Sequence, residues 1–373
     1  MAHPLGAGAV VAQDAIQRLS VIGLSQLDFL REVAERVSPV VPYDGGAWLV
    51  TDPATLLQTG AFIQGRGRVT EQTHLRFADN ELLTRDFAKI TQLAGETQPV
   101  TTLHDATAGD LSLSSRHRTI HADLGVGHEL RAVFRHGGST WGAVCLCRGL
   151  GHPNFSAGEK DFVASIAPHV GEGLRLSLLL KTASNAGGHS IPGVIVMRAD
   201  DTIESVTHEA EEWLSEITRD EGADLALPSV VYNASRQARA VAGGTSSGRA
   251  VSRVRLGSGR WLLVRAAQLR QENGSTDRTA VILEPARAAE LAPIIVELYG
   301  LSPRERHVTE LLLRGLPIDD IAAELWISRH TVRDHTKAIF AKLGVGSRPE
   351  LMAKLFYDHH APSMAYDQGS LAG

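Results

Sequence analysis

The sequence is poor in cysteine: its 373 residues include only Cys145 and Cys147. Two thiols spaced i, i+2 are too few for a disulfide framework, which excludes a stapled secreted scaffold and fits a reducing compartment. Uninterrupted apolar runs are also missing. No stretch approaches the roughly eighteen residues that a membrane helix needs, and Met1 to Val11 has neither the basic flank nor the apolar core of a signal peptide. These absences predict a cytoplasmic chain with no membrane partner. Charge of one sign is scarce as well. A net charge of −5 excludes a wholly basic coat protein while leaving room for a local basic site. With 43% hydrophobic and 21% charged residues and no internal repeat, the chain is neither collagen-like nor disordered. Its length is about two to three times that of a usual domain, so three packed units are expected.

What is present is a succession of local patterns. Leu27, Leu30, Val33, Ala34 and Val37 recur at helical spacing, and Ala47 to Val50 reads as a short strand. Glu129 to Arg135 alternates, with Leu130, Ala132 and Phe134 on one face. Gly137-Gly138 then supplies a turn before Thr140 to Cys147 returns, so a hairpin is predicted. Ser156 and Glu159 form a capping box ahead of Phe162, Ile166, Val170 and Leu174, which predicts a long helix closing the first unit near Leu180. The small, polar run Ser184 to Ser190 reads as a connector. Beyond it, Val194 to Met197, Val251 to Leu256, Trp261 to Ala266 and Thr279 to Leu283 read as strands. Asp200-Asp201, Gly257-Ser258-Gly259 and Asn273-Gly274 read as turns, and Ala210, Trp213, Leu214 and Ile217 as one helix face. From Ala286 onward the pattern is helical.

The C-terminal part is the most informative. Ser302-Pro303-Arg304-Glu305 combines a serine cap, proline at the first helical position and glutamate three residues after the cap, and Gly315 ends the helix. Ile321, Ala322 and Leu325 mark a second short helix, Trp326-Ile327 a tight turn, and Ser328 caps a third helix carrying Val332, His335, Ile339 and Leu343 inward. Two short helices joined in this way make a helix-turn-helix. On the third helix Arg333, Asp334 and Lys337 face away from Val332 and Ile339, toward where a major groove would lie. Between Arg329 and Arg348 there are five basic residues (Arg329, Arg333, Lys337, Lys342, Arg348) and one acid, Asp334, so positive charge is concentrated here.

Leu301-Ser302-Pro303-Arg304-Glu305, Val308, Leu311, Gly315, Ile321-Ala322, Leu325, Ser328, Thr331-Val332, His335, Ile339, Lys342-Leu343-Gly344-Val345 and Ser347-Arg348 together resemble the LuxR-type DNA-binding domain. The one departure is Pro317-Ile318, where that family commonly has a polar cap. The resemblance implies a transcription regulator whose third helix reads double-stranded DNA; the expected DNA-binding residues are Arg329, His330, Thr331, Arg333, Asp334, Lys337, Lys342 and Arg348, with Arg333 and Lys337 toward base edges and Thr331 and Lys342 closer to phosphates. It also implies a homodimer on a pseudopalindromic operator, with RNA polymerase as a further partner. The first unit resembles a GAF sensor domain and the second a PAS-like domain. The implied architecture is multidomain: two α+β sensor domains (GAF-like at 20–182, PAS-like at 190–285), a helical linker at 286–299, and an all-α, four-helix LuxR-type helix-turn-helix domain at 300–358. A small-molecule effector is expected in the GAF-like unit around Phe134, Trp141 and Cys145. The opening lacks both the alternating pattern of a phosphoacceptor receiver and the Trp and Tyr pattern of an acyl-homoserine-lactone pocket.

Other patterns read as bland. Gly244-Thr245-Ser246-Ser247-Gly248 matches the Gly-x-Ser-x-Gly pattern of a hydrolase elbow, the one support for a sensor enzyme or hydrolase targeted to DNA. That motif needs a strand before it and a helix after it, and Ala238 to Gly243 is not a strand, so Ser246 reads as loop and no enzyme is expected. Cys145 and Cys147 could join a metal site or an oxidation switch only with further ligands. His117 and His121, at i and i+4, share a helix face, but no Glu follows His117 as the zinc-hydrolase motif requires. They read as packing or surface residues, with no metal or cofactor expected. His104, His128 and His136 are read the same way. Asn233 and Asn273 head sequons that have no meaning without secretion.

Overall fold

The computed structural model describes residues 6–65, 69–180, 191–220, 222–270, 274, 276–287, 290, 291, 294 and 297–357. The expected connector Ser184 to Ser190, Asn273 in the expected turn, and residues 288, 289, 292, 293, 295 and 296 of the expected linker helix lie outside them.

In the first unit, α1 (Ala7–Leu19) and α2 (Gln26–Val37) precede β1 (Gly45–Thr51) and β2 (Gln58–Gly65). The short β3 (Val69–Thr70) leads into α3 (Glu71–Leu82), followed by α4 (Ile90–Gly95), β4 (Val100–Thr102), α5 (Leu103–Ala106) and α6 (Ala122–Leu124). The expected hairpin is β5 (Val126–His136) and β6 (Ser139–Gly149), and the expected long helix is α7 (Ala157–Leu180). Gly137 and Gly138 turn the hairpin at φ 63° and 88°, a twist that suits glycine at both positions. Strand order is β2-β1-β6-β5-β4, with antiparallel neighbours throughout. Alternation sends Leu130, Ala132 and Phe134 to one face with Trp48, Val144 and Leu146, into a core shared with α1, α2 and α7. Gly142 is required there, since a Cβ would lie 2.4 Å from the Leu49 carbonyl oxygen. The Ser156 cap is formed, with Glu159 N donating to Ser156 Oγ at 3.3 Å and Ser156 N to Glu159 Oε2 at 2.7 Å. Ala9, Ala12, Ile16 and Leu19 of α1 are buried in the same core, so the unit begins before residue 20.

The second unit comprises β7 (Gly193–Arg198), β8 (Ile203–Val206), α8 (His208–Glu216), the short β9 (Ala223–Asp224), α9 (Ser229–Ala242), β10 (Val251–Arg255), β11 (Trp261–Leu269) and β12 (Arg278–Pro285). Its strand order is β10-β11-β12-β7-β8. With the two-residue strands set aside, both sheets follow one order: second, first, fifth, fourth, third.

The two units are joined by more than a connector. β3 pairs in parallel with β9. Arg236 of α9, fully buried, donates through Nε to Asp79 of α3 at 2.7 Å and through Nη2 to Asp201 at 2.6 Å. Glu71 accepts from the Tyr232 hydroxyl and from Ala226 N. Asp52 at the end of β1 accepts from Arg253 N and Nη1, both at 2.9 Å. Buried charges of this kind are tolerated only when paired.

The C-terminal unit has α10 (Pro303–Leu313), α11 (Ile318–Leu325), α12 (Arg329–Leu343) and α13 (Arg348–Tyr357). Val308, Leu311, Leu312, Ile321, Val332, Ile339, Leu343 and Leu351 are among its buried residues. Ser302 and Glu305 cap α10 reciprocally. Pro317 heads α11 with no side-chain cap, the consequence of the departure noted in the sequence. Among the described residues, no helix is long and apolar enough to cross a membrane.

Two predictions concern stability. Trp326 ends α11 at φ 55° with 93% of its surface exposed, so it bears left-handed strain with little packing in return. Trp326→Gly is expected to raise stability by about 1 kcal/mol, read from the urea midpoint of the chain. His74 lies between the first and second units, 6.2 Å from the Tyr232 ring. Burial, aided by the Arg236 charge and opposed by Glu71, pushes its pKa down to about 4. The unfolded chain therefore takes up this proton near pH 6.5 and the folded chain only near pH 4. The His74 contribution should be fully present above pH 6.5 and lost progressively on acidification to pH 4, by on the order of 3 kcal/mol. The difference between wild-type and His74→Gln denaturation curves across that window measures it, and parallel curves would refute it.

Candidate DNA interface and sensor interior

Ser328 starts α12 by accepting from Thr331 N at 3.1 Å, and Val332, Ile339 and Leu343 anchor the helix inward. The opposite side is open. Arg329, His330, Arg333, Asp334 and Lys337 are exposed and Thr331 is half-buried. Arg333 and Lys337 flank a shallow surface groove with Thr336 and Phe340 beside them, and neither makes an ion pair among the described residues. Arg329 Nε sits 2.6 Å from Asp319 Oδ1, and His330 Nδ1 3.8 Å from Asp334 Oδ2. Both are exposed pairs that water and salt weaken. His335 is half-buried at the edge of the helical core, as its spacing from Val332 implied. Thr336 was not singled out from the sequence; its hydroxyl donates to the Val332 carbonyl at 2.7 Å.

Two of the expected DNA contacts are differently employed. Lys342 Nζ donates to Glu305 Oε2 at 2.6 Å and to the Gly300 carbonyl at 3.1 Å. Arg348 donates to the carbonyls of Leu316 at 3.0 Å and Leu312 at 2.5 Å, closing the open end of α10. Both cations hold the domain together, a use that a count of charges along the chain cannot reveal.

The three residues expected around an effector do not come together. Phe134 and Trp141 are fully buried in the core beneath the helices, where Phe134 stacks on Trp48 with ring centroids 6.0 Å apart and Trp141 Nε1 donates to the His136 carbonyl at 3.2 Å. Cys145 pairs with Arg131 on β5 and belongs to the other face, where burial pushes its thiol up to about 11. A bulge explains the split. Phe134 pairs with Gly142 and Arg135 with Thr140, so Trp141 is skipped and its ring turns to the Phe134 side. A separate cleft of about 60 Å³, lined in part by Asp52, Ser177, Arg253 and Trp261, lies where the first two units meet. It is small against the roughly 300–1,000 Å³ of ordinary ligand pockets. Ser246 follows α9 in a loop, where its Oγ accepts from Gln237 Nε2 at 2.8 Å and Gly248 N at 3.1 Å, so no strand leads into it.

The face bearing Cys145 is ionic. Fully buried Arg116 donates to Glu129 Oε2 from Nε at 3.1 Å and Nη2 at 2.8 Å, and to Asn80 Oδ1 at 2.8 Å. Arg131 Nε donates to Glu129 Oε1 at 3.0 Å, and its Nη1 to Glu81 Oε2 at 2.9 Å. Burial raises the Glu129 pKa, but Arg116 and Arg131 together hold it well below the usual carboxylate range. None of this network was read from the sequence. The available signal was Glu129 and Arg131 at alternate positions of an otherwise apolar strand.

Comparison with known proteins bears on the last unit. Residues 300–355 match the family of bacterial regulatory proteins, luxR family. A putative HTH-type transcriptional regulator in the exeN 3′ region of Aeromonas salmonicida is 42% identical over 91 residues, 24% of this chain and 44% of that protein. The chain thus spans less than half the length of this curated relative. Among solved structures, the phage VqmA–DPO complex is similar at 21% identity and a TM-score of 0.20, over 48% of this chain and 88% of that one. The GAF domain of an Acinetobacter phosphoenolpyruvate-protein phosphotransferase is similar at 10% identity and a TM-score of 0.32, over 47% and 98%. With its capped helices, its exposed basic stripe and this match in one segment, the chain carries at residues 300–355 a regulatory domain of the bacterial luxR family.

Proposed function

We propose that the chain is a cytoplasmic transcription regulator that binds double-stranded operator DNA through α12 and takes its signal in the preceding units. The observation that carries this reading is the pair Arg333 and Lys337, exposed and without an ion pair among the described residues, on the helix that follows the turn, with the apolar anchors Val332 and Ile339 behind them. The first unit (20–182, together with α1) is read as GAF-like and the second (190–285) as PAS-like, supported by their common strand order. Residues 286–299 connect them to the DNA-binding unit at 300–358. The protein acts as a homodimer, because helix-turn-helix pairs engage half-sites about 34–36 Å apart on one face of DNA. The apolar face of α7, with Phe162, Ile166, Val170 and Leu174 buried, is spent on its own core, so pairing uses other surfaces. RNA polymerase is the further partner that regulation of transcription requires.

A small-molecule effector acts by binding one arrangement of the units better than another. A route to the DNA-binding unit lies at Glu297, whose carboxylate accepts both from Ser139 at the tip of the β5–β6 hairpin and from Arg306 of α10. Arg175 of α7 donates to the neighbouring Leu298 carbonyl.

Operator DNA selected from a random duplex library provides the test. Arg333→Ala should cost on the order of 1–3 kcal/mol on the selected duplex and relax preference at one base position, with a smaller loss on scrambled DNA. Lys342→Ala should lower the melting temperature while leaving the salt slope of binding unchanged, because its ammonium serves Glu305. Gel-shift titrations at two salt concentrations on both duplexes make the comparison. Equal losses for Arg333→Ala on both would assign that side chain to phosphate and the other face of α12 to the groove. Light scattering at micromolar concentration should give twice the chain mass, and a monomer both with and without the duplex would overturn the two-fold reading.

A further inference from the structure

The first sheet also holds buried polar atoms that have no hydrogen-bond partner among the described residues. His117 to His121 form a single turn of π-helix, a rare conformation found frequently at functional sites. The His117 and His121 rings meet edge to face with centroids 5.7 Å apart. His121 is fully buried, yet neither of its ring nitrogens has a hydrogen-bond partner, and its Nε2 lies 3.6 Å from Glu129 Oε1. The Nδ1 atoms of His117 and His128 are likewise buried without partners. Nitrogen atoms withdrawn from water and left unpaired are costly and demand an explanation.

Cys147 stands opposite Glu129 in the β5–β6 ladder. One donor atom from each of His121, Glu129 and Cys147 lies within 4.8 Å of the others. We propose that these three side chains form a binding site for one divalent transition-metal ion of the Zn²⁺ class, with remaining coordination left to water or a small exogenous ligand. The donor set of one imidazole, one thiolate and one carboxylate selects for a borderline metal. Calcium and magnesium take oxygen donors, whereas zinc accepts all three kinds.

The surroundings prepare each donor differently. Glu129 is kept ionised and its carboxylate is oriented by Arg116 and Arg131, so Oε2 takes two bonds from Arg116 while Oε1, on the His121 side, takes one from Arg131. Cys147 is held as a thiol by burial and by the Glu129 charge. On binding, its sulfur–hydrogen bond breaks, the proton leaves to solvent, and the electron pair on Sγ forms the bond to the ion. The site lies on the first sheet and does not depend on the DNA-binding reading.

Full-length protein stripped with a chelator and titrated with Co²⁺ provides the test. The expected result is saturation near one Co²⁺ per chain, a thiolate-to-cobalt charge-transfer absorption, and its loss when Zn²⁺ is added. Cys147→Ser should abolish that absorption and weaken binding about 100-fold, and His121→Gln should weaken binding similarly, whereas Cys145→Ser should leave both unchanged. Absence of saturable binding, or a band that survives Cys147→Ser or disappears with Cys145→Ser, would overturn the proposal. X-ray absorption at the cobalt edge on the wild-type protein gives an answer even if the variants fail to fold: a sulfur scatterer is expected, and a shell of nitrogen and oxygen alone would refute the site.

Discussion

The burial of one carboxylate, Glu129, governs the first sheet. An ionised side chain on a central strand is tolerable only if opposite charge reaches it, and it draws Arg116 from the segment ahead of the π turn and Arg131 from its own strand. Those guanidinium groups bring Asn80 and Glu81 of α3 into the same network. Removing Glu129 would take from two buried guanidinium groups the carboxylate they share, at a cost of about 3–5 kcal/mol. Such a network is weak support for net stability. Its effect here is to fix which elements cover this face, while the alternate residues Leu130, Ala132 and Phe134 keep the other face dry for α1, α2 and α7.

This division explains what the sequence disclosed. Local chemistry was legible: the serine caps at Ser156, Ser302 and Ser328, the glycine turn at Gly137-Gly138, and the alternation along β5 all act within a few residues of themselves. The exposed stripe of α12 was legible for the same reason, since helical spacing alone sets Arg333 and Lys337 opposite Val332 and Ile339. Partners far apart in sequence were not. Arg236 with Asp79 and Asp52 with Arg253 bridge units that the chain pattern presents as separate. Lys342 and Arg348 count as positive charge in any window, and only the folded domain shows the carboxylate and carbonyls they serve. The grouping of Phe134, Trp141 and Cys145 failed on a single skipped pairing, because one bulge sends neighbouring side chains to opposite faces.

The first two units share a strand order but are buried differently. The second sheet has Leu262, Val264, Val281 and Leu283 fully buried against α8 and α9, with Ile195 and Met197 in the same cluster. The first divides its resources between an apolar face and an ionic one. Because α3 is packed against α9 by Arg236 and Tyr232, a rearrangement on the ionic face would reach the second unit through the helix that carries Asn80 and Glu81.

The attachment of the DNA-binding unit has a mechanical consequence. Glu297 has two oxygens and two claimants, Ser139 from the hairpin and Arg306 from α10, while burial raises its pKa and the Arg306 charge lowers it. Glu297 is thus one polar tie at this joint, beside the Leu298 carbonyl that Arg175 holds, and Leu298, Leu301 and Val308 belong to the same apolar cluster as the first sheet. Displacing the hairpin tip by the length of one hydrogen bond would take Ser139 from Glu297 and leave its carboxylate to Arg306 alone. The joint is a polar latch set over an apolar seam, so parting the units there would expose buried leucine and valine side chains as well as break the bonds to Glu297.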